Sequence, residues 1–231
     1  DEMQHINFVV LNFLADRVKE TRNMNRFTET AAHANEYPPT RPEVRDFIAL
    51  IKKHHIAIDP TVGIYGEMFS GDPNAIPAAL VDVAPRFPPQ VQRGLKSGAI
   101  IAPKGEEAAY REAFPALLAL VKALHDAGVP ILAGTDAMAG YSLHHELAMY
   151  AKAGISNADV LRIATLTPAE VMGVTRDLGA IAPGRYADMI LIDGDPLKDI
   201  TDTRNIDLVF KGGKRYEPNA LEAAIGIGSR Q

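Results

Sequence analysis

The chain contains no cysteine, no block of positive charge longer than two residues and no long apolar run. Without cysteine there can be no disulfide framework, no thiolate nucleophile and no cysteine-type zinc site, so a metal ion would need histidine, carboxylate or water as ligands. The longest apolar stretch, residues 6–15, is far shorter than the roughly 20 residues of a membrane span, and Asn7 and Asn12 interrupt it. We therefore predict no membrane helix.

Charge of one sign is also scarce. The formal net charge is -5 with both signs mixed along the chain, and the longest basic block is Lys52-Lys53. A protein of this kind has no electrostatic footprint for nucleic acid, and we predict no nucleic-acid partner. Position 1 is not Met, and a core-like pattern begins almost at once, which is typical of a piece of a longer chain. Localisation therefore stays open.

What is present is a pattern of alternating helices and strands. Apolar residues at three- and four-residue spacing predict a helix from Ile6 to about Arg22. The polar residues 23–40 read as a loop, and Pro42 opens a second helix through Lys53. The β-branched run 56–64 predicts a strand whose functional end is at residues 61–65.

The next segment, residues 66–104, is rich in proline and glycine and is too long for an ordinary connection, so we expect it to cover the strand ends. A long helix is predicted over residues 106–126. The apolar strand 129–133 then ends in Gly134-Thr135-Asp136. Such alternation predicts parallel βα units, as in a half-barrel or a doubly wound sheet.

Beyond Asp136 the chain changes character. Helices are predicted at 144–153, from Ser156 to 165, and from Pro168 to Gly173, and they are followed by strands at 188–193 and 207–211 with a Gly212-Gly213 hairpin turn. The β-rich end predicts a small separate β-unit. Residues 217–231 look like a loosely held tail.

Asp136 is the sharpest chemical feature, because a carboxylate directly after an apolar strand lies where α/β barrels form their active sites. The same residue could equally cap the following helix. His5 stands just before a helix, and a lone histidine in that place is more often structural. Position in the sequence leaves both roles open.

A series of motifs resembles the C-terminal part of the amidohydrolase superfamily, in particular its imidazolonepropionase-like and prolidase-like group. The motifs are PILAGTD at 130–136, LHHEL at 143–147, AGI at 153–155, ATLTPA at 164–169, LGAIAPGRYADMILID at 178–193 and VFKGGK at 209–214. Any one of them is weak evidence. Their order over nearly ninety residues is specific.

The resemblance implies an α/β fold, namely the C-terminal half of a TIM-like (β/α)8 barrel plus part of a small flanking β-domain. Residues 1–175 would hold barrel strands 6 to 8 with insertions, 176–216 part of the β-domain, and 217–231 the tail. It implies a divalent metal, with zinc the first choice, bound by His5 and Asp136. Asp136 would also be the catalytic carboxylate that takes a proton from the attacking water.

The implied reaction is hydrolysis of a C–N bond in an amide, a cyclic amide or a peptide-like small molecule, through water that the metal ion activates. His144 matches a histidine that the family often carries after the last strand, and it is a candidate for binding substrate or for packing at the start of the helix. Tyr65, at the rim of the seventh strand, is a second substrate-binding candidate, although an aromatic residue there is more commonly packed. His145 is expected to face solvent.

The sequence also departs from the family. The His-x-His pair of the first strand, the fourth-strand lysine or carboxylate and the fifth-strand histidine have no counterpart among these residues. Catalysis would then require the N-terminal half of the barrel as a partner. Two alternatives stay open: a non-catalytic fragment or subunit that completes another chain, and a different barrel enzyme, such as a magnesium-dependent lyase with further strand-end carboxylates, of which only Asp59 comes near. A homo-oligomer is also left open.

Overall fold

The computed structural model of the chain describes residues 1–96 and 98–228, and it has an α/β architecture. The α-helices are α1 (Ile6–Phe13), α2 (Asn25–His33), α3 (Pro42–Lys53), α4 (Val62–Ser70), α5 (Pro89–Gly94), α6 (Glu107–Asp126), α7 (Ser142–Lys152), α8 (Asn157–Ala164), α9 (Leu166–Val171) and α10 (Pro218–Ala224). The strands are β1 (Glu2–Gln4), β2 (Ala57–Asp59), β3 (Met189–Ile192), β4 (Ile206–Lys211) and β5 (Lys214–Tyr216). Short 3-10 helices occupy Ala34–Glu36, Ala84–Arg86 and Ile200–Arg204. Among the described residues no helix is both long and apolar enough to cross a membrane.

Three extended segments run side by side in the same direction. β1 pairs with β2 in parallel, with Gln4 opposite Asp59, and Ile58 forms a parallel bridge with Ile131. The Ile58 N–H donates to the carbonyl of Pro130, and the Leu132 N–H donates to the carbonyl of Ile58. β2 is therefore the middle segment, and the carboxyl ends of all three meet at one edge, as parallel βα units require.

Both predicted strands of this region are shorter than expected. β2 stops at Asp59, because Pro60 has no N–H to continue a ladder, and the chain turns at Thr61 into α4. The predicted strand end at residues 61–65 is thus wrong beyond Thr61. The predicted strand 129–133 is present only as the bridge at Ile131.

The predicted helices at 42–53 and 106–126 are confirmed as α3 and α6. The helix predicted from Ile6 ends at Phe13 rather than near Arg22. The expectation that residues 23–40 form a loop is wrong, because α2 lies within them and packs against α1 and α6. α2 buries only Thr30 and Ala31, so it lacks the apolar stripe by which a helix is usually recognised.

The main hydrophobic core surrounds the parallel segments. Its fully buried members include Ile6, Leu14, Ile58, Leu117 and Ile131, each no more than 1% exposed. Full burial of such a side chain contributes about 1.5–3 kcal/mol. The strand ends are consequently held on a rigid base.

A separate antiparallel sheet of strand order β3-β4-β5 follows the helices. Met189 lies opposite Phe210, and Val209 lies opposite Tyr216. Gly212 and Gly213 join β4 to β5 with φ of 56° and 77°, a conformation that two-residue hairpin turns need and that glycine adopts without strain. The predicted small β-unit and its hairpin are confirmed.

A second, smaller apolar cluster joins residues 66–104, called the cover below, to the end of the described chain. Its buried members are Leu80, Val83, Phe87 and Ile227. α10 adds an ion pair between Glu222 and Arg86, and the Gly228 N–H donates to the Arg86 carbonyl at 2.8 Å. The expected loose tail is therefore wrong for residues 218–228, which are packed against the cover; residues 229–231 lie outside the described residues.

Candidate functional site

The ends of the three parallel segments place His5, Thr61 and Asp136 together. His5 follows β1 directly, and its N–H donates to the carbonyl of Asp59 at 2.7 Å. Thr61 comes two residues after β2, and Asp136 comes five residues after the bridge at Ile131. Active sites of α/β proteins form at this edge.

All three residues have a positive φ, at 66° for His5 and 46° for both Thr61 and Asp136. Residues other than glycine rarely adopt this region, and for a β-branched residue such as Thr61 it is costly, at about 1–3 kcal/mol per residue. Strain of this size persists only where surrounding contacts enforce it. Its concentration at three neighbouring strand ends points to a functional edge.

The His5 ring is oriented by Thr61. Its Nδ1 lies 2.9 Å from the Thr61 Oγ1, and its Nε2 lies 4.0 Å from the Asp136 Oδ2. The Asp136 side chain is 62% exposed and the His5 side chain 27% exposed, so both can be reached from outside. A histidine whose Nδ1 is fixed by a hydrogen bond presents Nε2 as a ligand, which is the usual arrangement around a metal ion.

The two side chains fit a shared divalent ion. Donors bound to one tetrahedral ion at about 2.1 Å lie roughly 3.4 Å apart, and a small rotation of either side chain closes the difference from 4.0 Å. Imidazole and carboxylate suit zinc and several other divalent ions. Within residues 1–96 and 98–228 no group of three or more candidate ligands occurs. The described part of the chain therefore offers two of the three or more protein ligands that such an ion needs.

Asp59 fixes the backbone just before Asp136. Its Oδ1 accepts the Gly134 N–H at 2.9 Å, and a Cβ at residue 134 would lie 1.9 Å from its Oδ2. Burial raises the pKa of Asp59, and the Gly134 N–H acts in the opposite direction. Gly134 thus permits a contact that no other residue allows.

Glu146, in α7, holds the start of α4. Its carboxylate is buried, and it accepts the N–H groups of Val62 and Gly63 at 2.7 and 2.6 Å. Burial raises the pKa of Glu146 to about 7, against the two N–H groups that favour the charged form. A carboxylate at the first turn also complements the helix dipole. Glu146 thereby fixes Thr61, which precedes α4 and orients His5.

Sequence reasoning missed Glu146, although a signal was present. Ser142, Glu146 and Tyr150 follow one another at four-residue spacing, and all three are buried on one face of α7. A carboxylate within an otherwise core-facing stripe indicates a buried acceptor with specific donors.

The two histidines of α7 line different cavities. The His144 Nδ1 lies 3.1 Å from the Thr203 Oγ1, beside a cavity of about 950 Å³ that does not include Asp136. His145, expected in solvent, is half-buried and lines the same cavity as Asp136. Burial lowers the pKa of His145. α7 begins two residues before the predicted start. Because adjacent side chains on a helix point about 100° apart, His144 and His145 face different surroundings.

Tyr65 does not lie at a strand rim. It is in α4, only 1% exposed, and its hydroxyl donates to the Asn7 Oδ1 at 2.7 Å. The ring packs near Phe27 and Phe69. The expected position of Tyr65 is therefore wrong, because helix α4 begins at Val62 and turns this side chain into the core.

A cavity of about 330 Å³ opens beside Asp136. Asp136, His145 and Glu146 line it together with Met68 of α4 and Leu80 of the cover. Residues 77, 79 and 80 border the cavity, so part of the segment 66–104 lies where a cover is expected.

The comparisons with known proteins agree with this picture. Residues 103–216 match the sequence model of the amidohydrolase family. An adenine deaminase of Moorella thermoacetica is 38% identical over 72 residues, which is 31% of this chain and 11% of the deaminase. Among solved structures, an amidohydrolase is similar at a TM-score of 0.50 with 25% identity, covering 74% of this chain and 37% of its own.

A Xaa-Pro dipeptidase with bound methionine is similar at a TM-score of 0.53 with 20% identity, covering 77% of this chain and 37% of its own. The parallel segments with a candidate site at their carboxyl edge define an α/β protein whose fold is similar to that of these solved enzymes. Within residues 103–216 the chain is therefore similar to the amidohydrolase family. The chain spans little more than a third of these solved chains and about a tenth of the deaminase.

Proposed function

We propose that this chain supplies strands 6 to 8 of a TIM-like barrel, with part of the flanking β-domain, to a metal-dependent hydrolase that cleaves a C–N bond. The observation that carries the proposal is the 4.0 Å approach of the His5 Nε2 to the Asp136 Oδ2 at neighbouring strand ends. A deaminase and a dipeptidase, the named relatives, both act on bonds between carbon and nitrogen. The substrate class proposed is an amide, a cyclic amide or a peptide-like small molecule.

His5 and Asp136 would hold a divalent ion, zinc in the first instance, with further ligands from the N-terminal half of the barrel. Such an ion lowers the pKa of water to about 7 and polarises the carbonyl that is attacked. The hydrogen bond from His5 to Thr61 keeps the ring in the orientation for binding. Asp136 lies against His5 and is open to the cavity.

Asp136 has the chemistry of a general base that later acts as an acid. Its carboxylate would accept the proton of the attacking water and deliver it to the leaving nitrogen. Its second oxygen stays available for this task when one oxygen binds the ion. His145, which lines the same cavity, would contact the substrate.

A second candidate is a chain without catalysis of its own that completes another subunit. The absence of a three-ligand group within residues 1–96 and 98–228 favours it. The two candidates differ in whether the complete protein turns over any amide.

The proposal is tested on the complete protein, purified after expression with zinc in excess. We expect about one divalent ion or more per chain by elemental analysis and hydrolysis of at least one member of a panel of amides, cyclic amides and dipeptides. His5→Ala should lose the metal and the activity together. The control His54→Ala changes an exposed histidine at the end of α3 and should keep both. A metal-free, inactive wild-type protein would rule out the hydrolase and leave the non-catalytic candidate.

A further inference from the structure

The cavity beside Asp136 has a definite chemical character. Apart from its polar groups, its lining is apolar and comes from four separate places in the chain: α2, α4, the cover and the loop after Asp136. The larger apolar members are Phe27, Ile64, Met68, Pro77, Leu80 and Met138. A volume of about 330 Å³ accommodates a substituted ring or a branched aliphatic group.

The charged groups around this cavity are all of one sign. Glu67, Asp136 and Glu146 border it, and no lysine or arginine does so among the described residues. The Glu67 Oε1 also accepts the Ala78 N–H at 2.6 Å, which ties the cover to α4. A carboxylate seated among the apolar side chains would lose its hydration without gaining a lysine or arginine partner, and the neighbouring carboxylate of Glu67 would repel it.

The cavity is continuous with the reacting end of the site, because Asp136 and His145 line it together with the apolar residues. A single substrate molecule would therefore place one group against Met68 and Leu80 and the bond to be cleaved next to Asp136. Two methionines in the wall suit rings and chains of differing shape, since this side chain adapts to what it packs against.

We propose that this cavity is the subsite for an uncharged, apolar group of the substrate, so that the amide bears an aliphatic or aromatic substituent without a carboxylate on that side. The inference rests on the proposed function and narrows its substrate class. Met68, Leu80 and Met138 are the residues that set this preference.

The test compares two probes that differ only in the group that enters the cavity, 4-methylacetanilide and 4-acetamidobenzoate. Their dissociation constants for the complete protein are measured by calorimetry or ligand-observed NMR, and their hydrolysis is measured separately. We expect the neutral probe to bind at least tenfold more tightly. Met68→Lys should shift the ratio of the two constants at least tenfold toward the carboxylate.

The matched control is Met172→Lys, the same substitution at a methionine that is 75% exposed and does not line the cavity. It should leave the ratio unchanged. Met138→Lys repeats the experiment from the loop, in case Met68→Lys fails to fold, as judged by circular dichroism.

Equal or tighter binding of the carboxylate probe by the wild-type protein would overturn the inference, and so would the failure of both probes to bind at millimolar concentration. An unchanged ratio in folded Met68→Lys and Met138→Lys would overturn it as well. If the expected binding ratios are found but no amide of any kind is hydrolysed, the binding preference stands and the proposed hydrolase activity fails.

Discussion

The Asp59 carboxylate accepts a hydrogen bond from the backbone N–H of Gly134, with 2.9 Å between the nitrogen and Oδ1. This bond connects two neighbouring strand ends. The contact joins β2 to the Gly-Thr-Asp step and so sets where Asp136 begins. It exists because residue 134 has no side chain: a Cβ there would fall 1.9 Å from the Asp59 Oδ2.

Gly134→Ala should therefore displace Asp59 and break this hydrogen bond. We expect the free energy of unfolding to fall by about 1–3 kcal/mol, since a partly buried donor and acceptor lose their partners, and Asp136 to shift with it. Urea unfolding and metal content of the complete protein measure the two effects. Gly94→Ala is the control, because a Cβ added at residue 94 would meet nothing within 4 Å and the φ of Gly94 is not positive; an equal loss in both variants would show that the Asp59 contact is unimportant.

Asp136→Asn should reduce turnover by on the order of a hundredfold or more, the scale of general-base loss. Asparagine tolerates the φ of 46° at this position and keeps the shape of the side chain, so the fold should survive. Steady-state kinetics and thermal unfolding of the complete protein separate the two readouts, with Asp16→Asn as a surface control. Near-normal turnover would mean that Asp136 has a structural role and would remove the central residue of the proposed mechanism.

The buried Glu146 should make the protein less stable as the pH rises from about 4.5 to 7. The folded-state pKa is about 7 against an ordinary value of 4.5, so over this interval the folded state holds a proton that the unfolded state has released, and stability falls with pH. The shift corresponds to about 3 kcal/mol between the two ends. The decline is absent below pH 4.5 and complete above pH 7.

Glu146→Gln removes this titration and should leave a shallower pH dependence, to which Asp59 still contributes in the same direction. The substitution should also lower the free energy of unfolding by about 1–3 kcal/mol at pH 5, because the amide nitrogen of glutamine then faces one of the two N–H donors. Chemical unfolding across pH 4 to 8 gives both quantities. Glu170→Gln, at a carboxylate that is 44% exposed, is the comparison; the same pH slope in wild type and Glu146→Gln would contradict the assignment.

The adjacent histidines of α7 serve as controls for each other. His145→Asn should lower kcat/KM about tenfold for substrates of the complete protein, because His145 shares the cavity with Asp136. His144→Asn should leave kcat/KM within about twofold and instead reduce stability by about 1 kcal/mol, since its Nδ1 pairs with the Thr203 Oγ1. The reverse result would restore the role that the sequence suggested for His144.

The sequence predicted a helix start, a helix cap or a turn correctly where a single residue or residue pair determines the local backbone conformation. Pro42 at the first helical turn predicts the start of α3, Ser156 caps α8 through the Asp159 N–H, and Gly212-Gly213 makes the hairpin. In each case the physical reason acts over four residues or fewer. Such elements need no knowledge of their tertiary surroundings.

The signals failed where tertiary contacts decide. α2 is polar in composition and is helical because it packs between α1 and α6. Tyr65 faces the core because the chain forms α4 from Val62 onward, within the run that predicted a strand. His5 and Asp136 were predicted from family motifs and strand counting, and the structure brings them within 4.0 Å of each other. Glu146 was missed because its donors lie more than eighty residues away along the chain.

The contact between α10 and the cover affects the order in which parts of the protein fold during synthesis. Leu80, Val83 and Phe87 form their apolar cluster with Ile227, and Arg86 pairs with Glu222, some 136 positions later. During synthesis, the strand ends with His5 and Asp136 are complete long before residues 218–228 leave the ribosome, at about 5–20 residues per second. For several seconds a nascent chain would present this edge without its fixed cover. The cover is therefore fixed over the cavity only after the strand ends that it borders have already formed.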